Sequence, residues 1–189
     1  MKKELPAKPI LSPQMIQMIA TYNDDGSVDL MNAAWGGQLD NDLLVLSLDK
    51  SHRTVTNILR DKDFTLGFPS CKDIVDCDYV GIVSGNKDKD KFLKTDLHAE
   101  KSAKVNAPII KEFPLTFECE TFKVFDDELG FYLVAKVKGI LVDEEYVLPK
   151  GKLDVDKMDL CFFSPMDNTY RRYGEVLANA FSCGLKKRG

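Results

Sequence analysis

The 189-residue chain predicts a mainly β barrel with helical decoration. Three observations carry that prediction. Six or seven short apolar stretches read as strands, only one or two helices fall between them, and no regular strand–helix alternation runs along the chain. A doubly wound sheet would need a helix between most strands. Neither an internal repeat nor a low-complexity linker divides the sequence, so a single domain is expected over 1–189.

In chain order, three prolines between Leu5 and Pro13 make an extended lead-in. Met15–Tyr22 reads as a first strand, with Asn23-Asp24-Asp25-Gly26 as its turn and Ser27–Asn32 as the return arm of a hairpin. Asp40-Asn41-Asp42 turns the chain into a third strand, Leu43–Leu48. A short connection, Asp49-Lys50-Ser51, then opens a helix from about Arg53 to Arg60. Asp63–Phe68 is a fourth strand, closed by Pro69-Ser70. In Cys71–Ser84, apolar residues at 74, 75, 79, 82 and 83 follow helical spacing.

A charged loop, Gly85–Lys91, comes next, and Phe92–Thr95 reads as one helical turn. Leu115–Val124 alternates as a half-buried strand should, with Leu115, Phe117, Cys119 and Thr121 on one face. Phe131–Val142 is the longest strand, with Asp126-Asp127 as the turn before it and Asp143-Glu144-Glu145 as its end. Val147–Asp156 reads as a loop with a short strand, and Leu160–Phe163 as a last strand. Ser164–Gly189 is an arm whose tip is basic, Lys186-Lys187-Arg188.

Composition narrows the function. Net charge is −4 with acids and bases interspersed, so no basic surface is available to track a nucleic-acid backbone. The longest apolar runs, six or seven residues, are far short of a membrane span. The N-terminal MKKELPAKPI lacks the apolar stretch of a signal peptide. The five cysteines are scattered without a CxxC pair, which fits reduced thiols in a cytoplasmic protein, with a Cys71–Cys77 pairing as the lesser alternative.

Conventional catalytic patterns do not appear. Two histidines, His52 and His98, have no GxSxG elbow for a triad, no HExxH and no calcium loop around them. Gly81–Gly85 has neither P-loop nor dinucleotide-fingerprint spacing.

What remains is Leu30–Leu59. Small residues at Ala33, Ala34, Gly36 and Gly37 surround Trp35 and let backbone N–H groups approach a flat ring. Downstream, Ser51-His52-Arg53-Thr54 places hydroxyls and one arginine at a helix start, where free N–H groups and the helix dipole favour an anion. The combination predicts a phosphorylated cofactor. Residue by residue a plainer account stands beside it: Ser51 as a helix cap, Thr54 as a surface residue and Trp35 as core.

The order Asn32-Ala33-Ala34-Trp35, Leu46-Ser47-Leu48, Arg53-Thr54 resembles the flavin reductase-like, FMN-binding split-barrel family, its flavoredoxin branch in particular. The resemblance continues through Phe64–Phe68, Ser84-Gly85, Asp90-Lys91-Phe92, Ala107–Glu112, Phe117–Glu120, Lys138–Val142, Gly151–Asp154 and Tyr173-Gly174. It implies a six-stranded antiparallel Greek-key split barrel, a homodimer with FMN near the interface, and hydride or electron transfer from NAD(P)H or a redox partner protein. It further implies that Asn32, Ala33, Ala34 and Trp35 face the flavin ring. Ser47, Ser51, His52, Arg53 and Thr54 would hold the ribityl chain and phosphate, with Lys91 and Phe92 approaching from the second segment. Relatives also often carry a proline pair where this chain has Asn41-Asp42, and Gly-Asp-His where it has Leu129-Gly130-Phe131. A non-catalytic FMN- or haem-binding protein, acting as sensor or carrier, is the alternative that the same resemblance leaves open.

Overall fold

The computed structural model describes residues 1–7 and 11–187. Part of the proline-rich lead-in (8–10) and the end of the basic tip (188–189) lie outside the described residues. The strands and helices are β1 (Gln14–Met15), β2 (Gln17–Tyr22), β3 (Val28–Ala33), β4 (Gly36–Gln38), β5 (Leu43–Ser47), α1 (Arg53–Asp61) and β6 (Asp63–Phe68). Then follow α2 (Ile74–Ile82), β7 (Ala99–Lys101), β8 (Pro108–Ile110), β9 (Leu115–Asp127) and β10 (Gly130–Val142). The chain continues through β11 (Val147–Leu148), β12 (Lys152–Leu153), α3 (Val155–Met158), β13 (Cys161–Ser164) and β14 (Thr169–Arg172).

The main sheet is antiparallel and curls into a half-barrel with the order β3-β2-β6-β9-β10-β5-β4. Its two edges are β3 and β4, yet only Ala34 and Trp35 separate them in sequence. That link spans at most about 11 Å. The sheet must therefore roll until its edges meet at Ala34-Trp35, and Gln17 Nε2 on β2 donates across the seam to Gly36 O at 3.1 Å. A Cβ on Gly36 would lie 2.5 Å from both the Gln17 amide oxygen and a Leu46 methyl, so only glycine fits the corner.

Side-chain alternation divides the core into two clusters. Ile19, Met31, Leu46, Val55, Ile58, Phe64, Leu66 and Leu133 fill the barrel. Met18, Ala20 and Leu30, pointing the other way, pack under α2 with Cys77, Val80, Phe92, Ile110 and Phe113. Because β2 and β3 are covered on both faces, their central segments read as unbroken apolar runs. Fully burying each such side chain stabilises the fold by about 1.5–3 kcal/mol. Helix α1 is fixed to β2 by a buried amide: Asn57 Nδ2 donates to Thr21 Oγ1 and to Asn23 Oδ1, both at 3.0 Å.

Three features differ from the sequence-based expectation. The helix in Cys71–Ser84 forms, but Val75 (77% exposed) and Ile82 (75%) point outward, and its buried residues are Cys77 and Val80. Strand β14 pairs with β13 inside what the sequence showed only as an arm, because all four of its residues are exposed and carry no periodic signal. The five cysteines are free, so Cys71 and Cys77 are not joined.

Candidate functional site: two joined cavities at the barrel seam

The residues at the seam line a cavity of about 780 Å³, toward the upper end of the usual range for small-molecule sites. Asn32, Ala33, Ala34 and Trp35 form one wall, Ser47 to Lys50 with His52 a second, and Gly130-Phe131 a third. Asp78, Gly81 and Ile82 of α2, with Phe163 and Tyr170 of β13 and β14, close the remaining side. Trp35 is 55% exposed rather than core. Its carbonyl accepts from the Ser47 N–H at 2.8 Å, which ties the corner to β5.

A smaller, more polar cavity of about 170 Å³ shares Met31, Asn32, His52, Gly81 and Ile82 with the first. Its remaining wall is Arg53 and Thr54 at the start of α1, Val80, the turn Val83-Ser84-Gly85, and Lys91. His52 occupies the N-cap position and no side chain caps the helix. Arg53 Nε is buried and has no hydrogen-bond partner among the described residues. An orphaned buried donor costs about 1–3 kcal/mol, so it marks a place prepared for an acceptor.

The floor of the small cavity is a buried ionic network. Thr54 Oγ1 donates to Asp29 Oδ2 at 2.5 Å. Asp29 Oδ1 lies 3.8 Å from Lys91 Nζ, with side chains 2% and 4% exposed. Lys91 Nζ donates to Val80 O (2.9 Å) and Val83 O (3.1 Å), carbonyls that α2 leaves open at its C-terminus. Burial lowers the Lys91 ammonium below its ordinary value, with Asp29 opposing that effect. Gly85 completes the packing, since a Cβ there would meet Asp29 Oδ1 at 2.5 Å and Arg53 Cβ at 3.1 Å.

The structure thus gathers nine of the eleven sequence-derived residues, Asn32–Trp35, Ser47, His52, Arg53, Thr54 and Lys91, around the joined cavities. Three do not take the expected place or role. Ser51 lines neither cavity; its N–H donates to Asp49 Oδ1 (2.8 Å) and its carbonyl accepts from Asn86 Nδ2 (2.7 Å), fixing the loop before α1. Lys91 borders the small cavity, but its ammonium is committed to α2 and Asp29. Phe92 is buried in the outer apolar cluster. Conversely, Asp78, Gly81, Phe131, Phe163 and Tyr170 enter the wall unannounced. Gly81 carried one overlooked signal, a glycine within a helical pattern, which often marks close packing. A Cβ there would sit 2.8 Å from Asn32 Cβ.

Comparison with known proteins agrees with this geometry. A family model described as a flavin reductase like domain matches residues 11–155. The structure superposes on the flavoredoxin of Desulfovibrio vulgaris (Miyazaki F) with a TM-score of 0.91 and 31% identity, covering 97% of this chain and 100% of that one. For the flavoredoxin from Methanosarcina acetivorans the values are 0.88 and 25%, with 99% of each chain covered. An FMN-binding protein from Thermus thermophilus with bound 1-cyclohex-2-enone shares the fold at 17% identity, with a TM-score of 0.75 and coverage of 95% and 97%. The chain belongs to the flavin reductase-like family.

Proposed function

We propose that the joined cavities bind FMN and that the protein is an FMN-dependent oxidoreductase of the flavoredoxin type, working as a cytoplasmic homodimer with the flavin near the subunit interface. The observation that carries this reading is the unpartnered, buried Arg53 Nε at the uncapped start of α1, beside a small polar cavity that adjoins a large, mostly apolar one. A phosphate meets both needs there, because charge-assisted hydrogen bonds and the helix dipole favour the same anion. The family match and the FMN-binding relative support the same cofactor.

In this reading Arg53 and the backbone N–H of Thr54 hold the phosphate, the Thr54 hydroxyl being committed to Asp29, and His52 and Ser47 flank the ribityl chain. Asn32–Trp35 offer the ring a corner with little side-chain bulk at Ala33 and Ala34, while Phe131, Phe163 and Ile82 exclude water from the larger cavity. Bound there, FMN would supply hydride- or electron-transfer chemistry between a donor, NAD(P)H or a redox partner protein, and an acceptor. The chain's own part is position and electrostatics, so no side chain is assigned as a general acid or base.

The test is flavin retention during gel filtration, which reads cofactor and dimer together, followed by anaerobic addition of NADH or NADPH. Yellow protein that bleaches with either donor supports the reading. Bleaching by neither leaves a protein electron donor or a carrier role, and protein that takes up no added FMN overturns it. Arg53→Ala should raise the FMN dissociation constant about ten- to 150-fold, the loss of one charge-assisted pair of about 1.5–3 kcal/mol. An unchanged constant removes Arg53 from the phosphate site.

A further inference from the structure

The flavin reading leaves one polar pair in the large cavity without a task. Tyr170 on β14 donates its hydroxyl proton to Asp78 Oδ1 on α2 at 2.5 Å, across 92 residues of sequence. Both residues line the large cavity, and neither lines the smaller one that holds Arg53 and Thr54. Burial, reinforced by the Asp78 carboxylate, raises the Tyr170 phenol above its ordinary value, so it stays protonated. Phe163 stands beside it with ring centroids 6.1 Å apart and tilted by 53°, an apolar flank for a flat ligand.

Hydrogen-bond inventory then fixes what this end of the cavity offers. With its one proton committed to Asp78, the Tyr170 oxygen presents only lone pairs. The second carboxylate oxygen of Asp78 makes no hydrogen bond among the described residues. Nearby cations are already engaged. Lys50 Nζ is 2.8 Å from both carboxylate oxygens of Asp126. Arg171 pairs with Asp167, and Arg172 with Asp159 at 2.8 Å. The other acid on the wall, Asp49, is held below its ordinary value by the backbone N–H and hydroxyl of Ser51, so it adds negative charge. Apart from His52, the wall gives an incoming anion no free basic partner among the described residues.

We infer that Asp78 and Tyr170 form the acceptor side of a second ligand subsite in the large cavity, one that takes a neutral aromatic compound bearing an N–H or O–H donor and rejects its carboxylate counterpart. The inference deepens the flavin reading by naming the class of compound admitted beside the cofactor, and rests on that reading for the word beside. A donor placed between Tyr170 and Asp78 satisfies two acceptors at once. A carboxylate in the same position would meet lone pairs and negative charge, and like-charge contacts are unfavourable.

Three probes that share a phenyl ring and a carbonyl carbon separate the contributions: benzamide, N,N-dimethylbenzamide, which replaces the N–H donors with methyl groups, and benzoate, which replaces the amide with a carboxylate. Binding is measured by calorimetry and by ligand-observed NMR, on flavin-loaded and on flavin-free protein. Benzamide is expected to bind at least about tenfold more tightly than either of the other two. Tyr170→Phe, which keeps the ring, should weaken benzamide about two- to tenfold. Asp78→Asn should narrow the benzamide-to-benzoate ratio by a similar factor. Thermal unfolding of both variants checks that they fold.

Equal binding of the three probes, tighter benzoate, or unchanged ratios in both folded variants would overturn the subsite. So would displacement of benzamide by FMN, which would give the pair to the flavin itself. Protein that binds no FMN but still discriminates among the probes would refute the flavin reading and leave the acceptor subsite standing.

Discussion

Replacing Lys91 by methionine separates a structural cation from a ligand-binding one. Methionine keeps the unbranched stem, so the packing around it changes little. What disappears is an ammonium that serves Val80 O, Val83 O and Asp29, in a side chain only 4% exposed. Removing one member of a buried ion pair costs about 3–5 kcal/mol, because the other is left charged without its partner. For a chain of this length that corresponds to a fall in unfolding midpoint of about 6–20 °C. Urea titration should show the same loss with an unchanged slope, since the surface exposed on unfolding stays the same. A loss below about 1 kcal/mol would refute the buried network. A weakening of FMN beyond that of Arg53→Ala, measured where the variant is fully folded, would instead return Lys91 to the phosphate.

Gly81→Ala forces a methyl group to within 2.8 Å of Asn32 Cβ. The overlap costs about 1–3 kcal/mol against a helix-propensity gain of about 1 kcal/mol, so modest destabilisation with weaker flavin retention is expected. An equally stable variant with native flavin affinity would refute the tight α2–β3 contact. Thiol titration of native protein should show Cys183 reacting first and Cys71 more slowly. Burial pushes Cys119 and Cys161 up to about 12, and Cys77 upward as well, so these three should wait for denaturant. Rapid modification of a buried thiol in folded protein would contradict the packing. The Asp49 carboxyl, held low by the Ser51 N–H and hydroxyl, gives stability that is present above the ordinary carboxylate range and lost as pH falls through the depressed value. An NMR titration should place Asp49 below a peptide reference, and Ser51→Ala should move it upward; an unmoved midpoint would remove the hydroxyl from the loop.

How much of this was legible in the sequence depended on whether local pattern and tertiary environment agreed. Strands β3, β5 and β6 and helix α1 appeared close to their final limits, because apolar periodicity, turn residues and helix start coincide in each. The seam was half legible: small residues around Trp35 announced a close approach, but the meeting of the β3 and β4 edges follows only from strand order. Helix α2 was found from the spacing of residues that turned out partly exposed, since its buried stripe includes a cysteine and excludes Val75. Lys91 was one charge in a charged loop, singled out for the cofactor only by the resemblance. Its burial is created by carbonyls at the end of α2 and by Asp29, which lie near it only in the fold. Tyr170 had no local signal, because a strand exposed at all four positions has no alternation to read.

If FMN is the acceptor it awaits, the unpartnered buried Arg53 Nε also ties cofactor supply to the survival of the fold. A ligand that answers it binds the folded chain and not the unfolded one, so free cofactor at a hundred times its dissociation constant adds about 2.7 kcal/mol to global stability. The first turn of α1 is where that linkage acts. Its amides should exchange with solvent faster in flavin-depleted protein, and a cell short of the cofactor would feel the shortage first as a shorter lifetime of the chain.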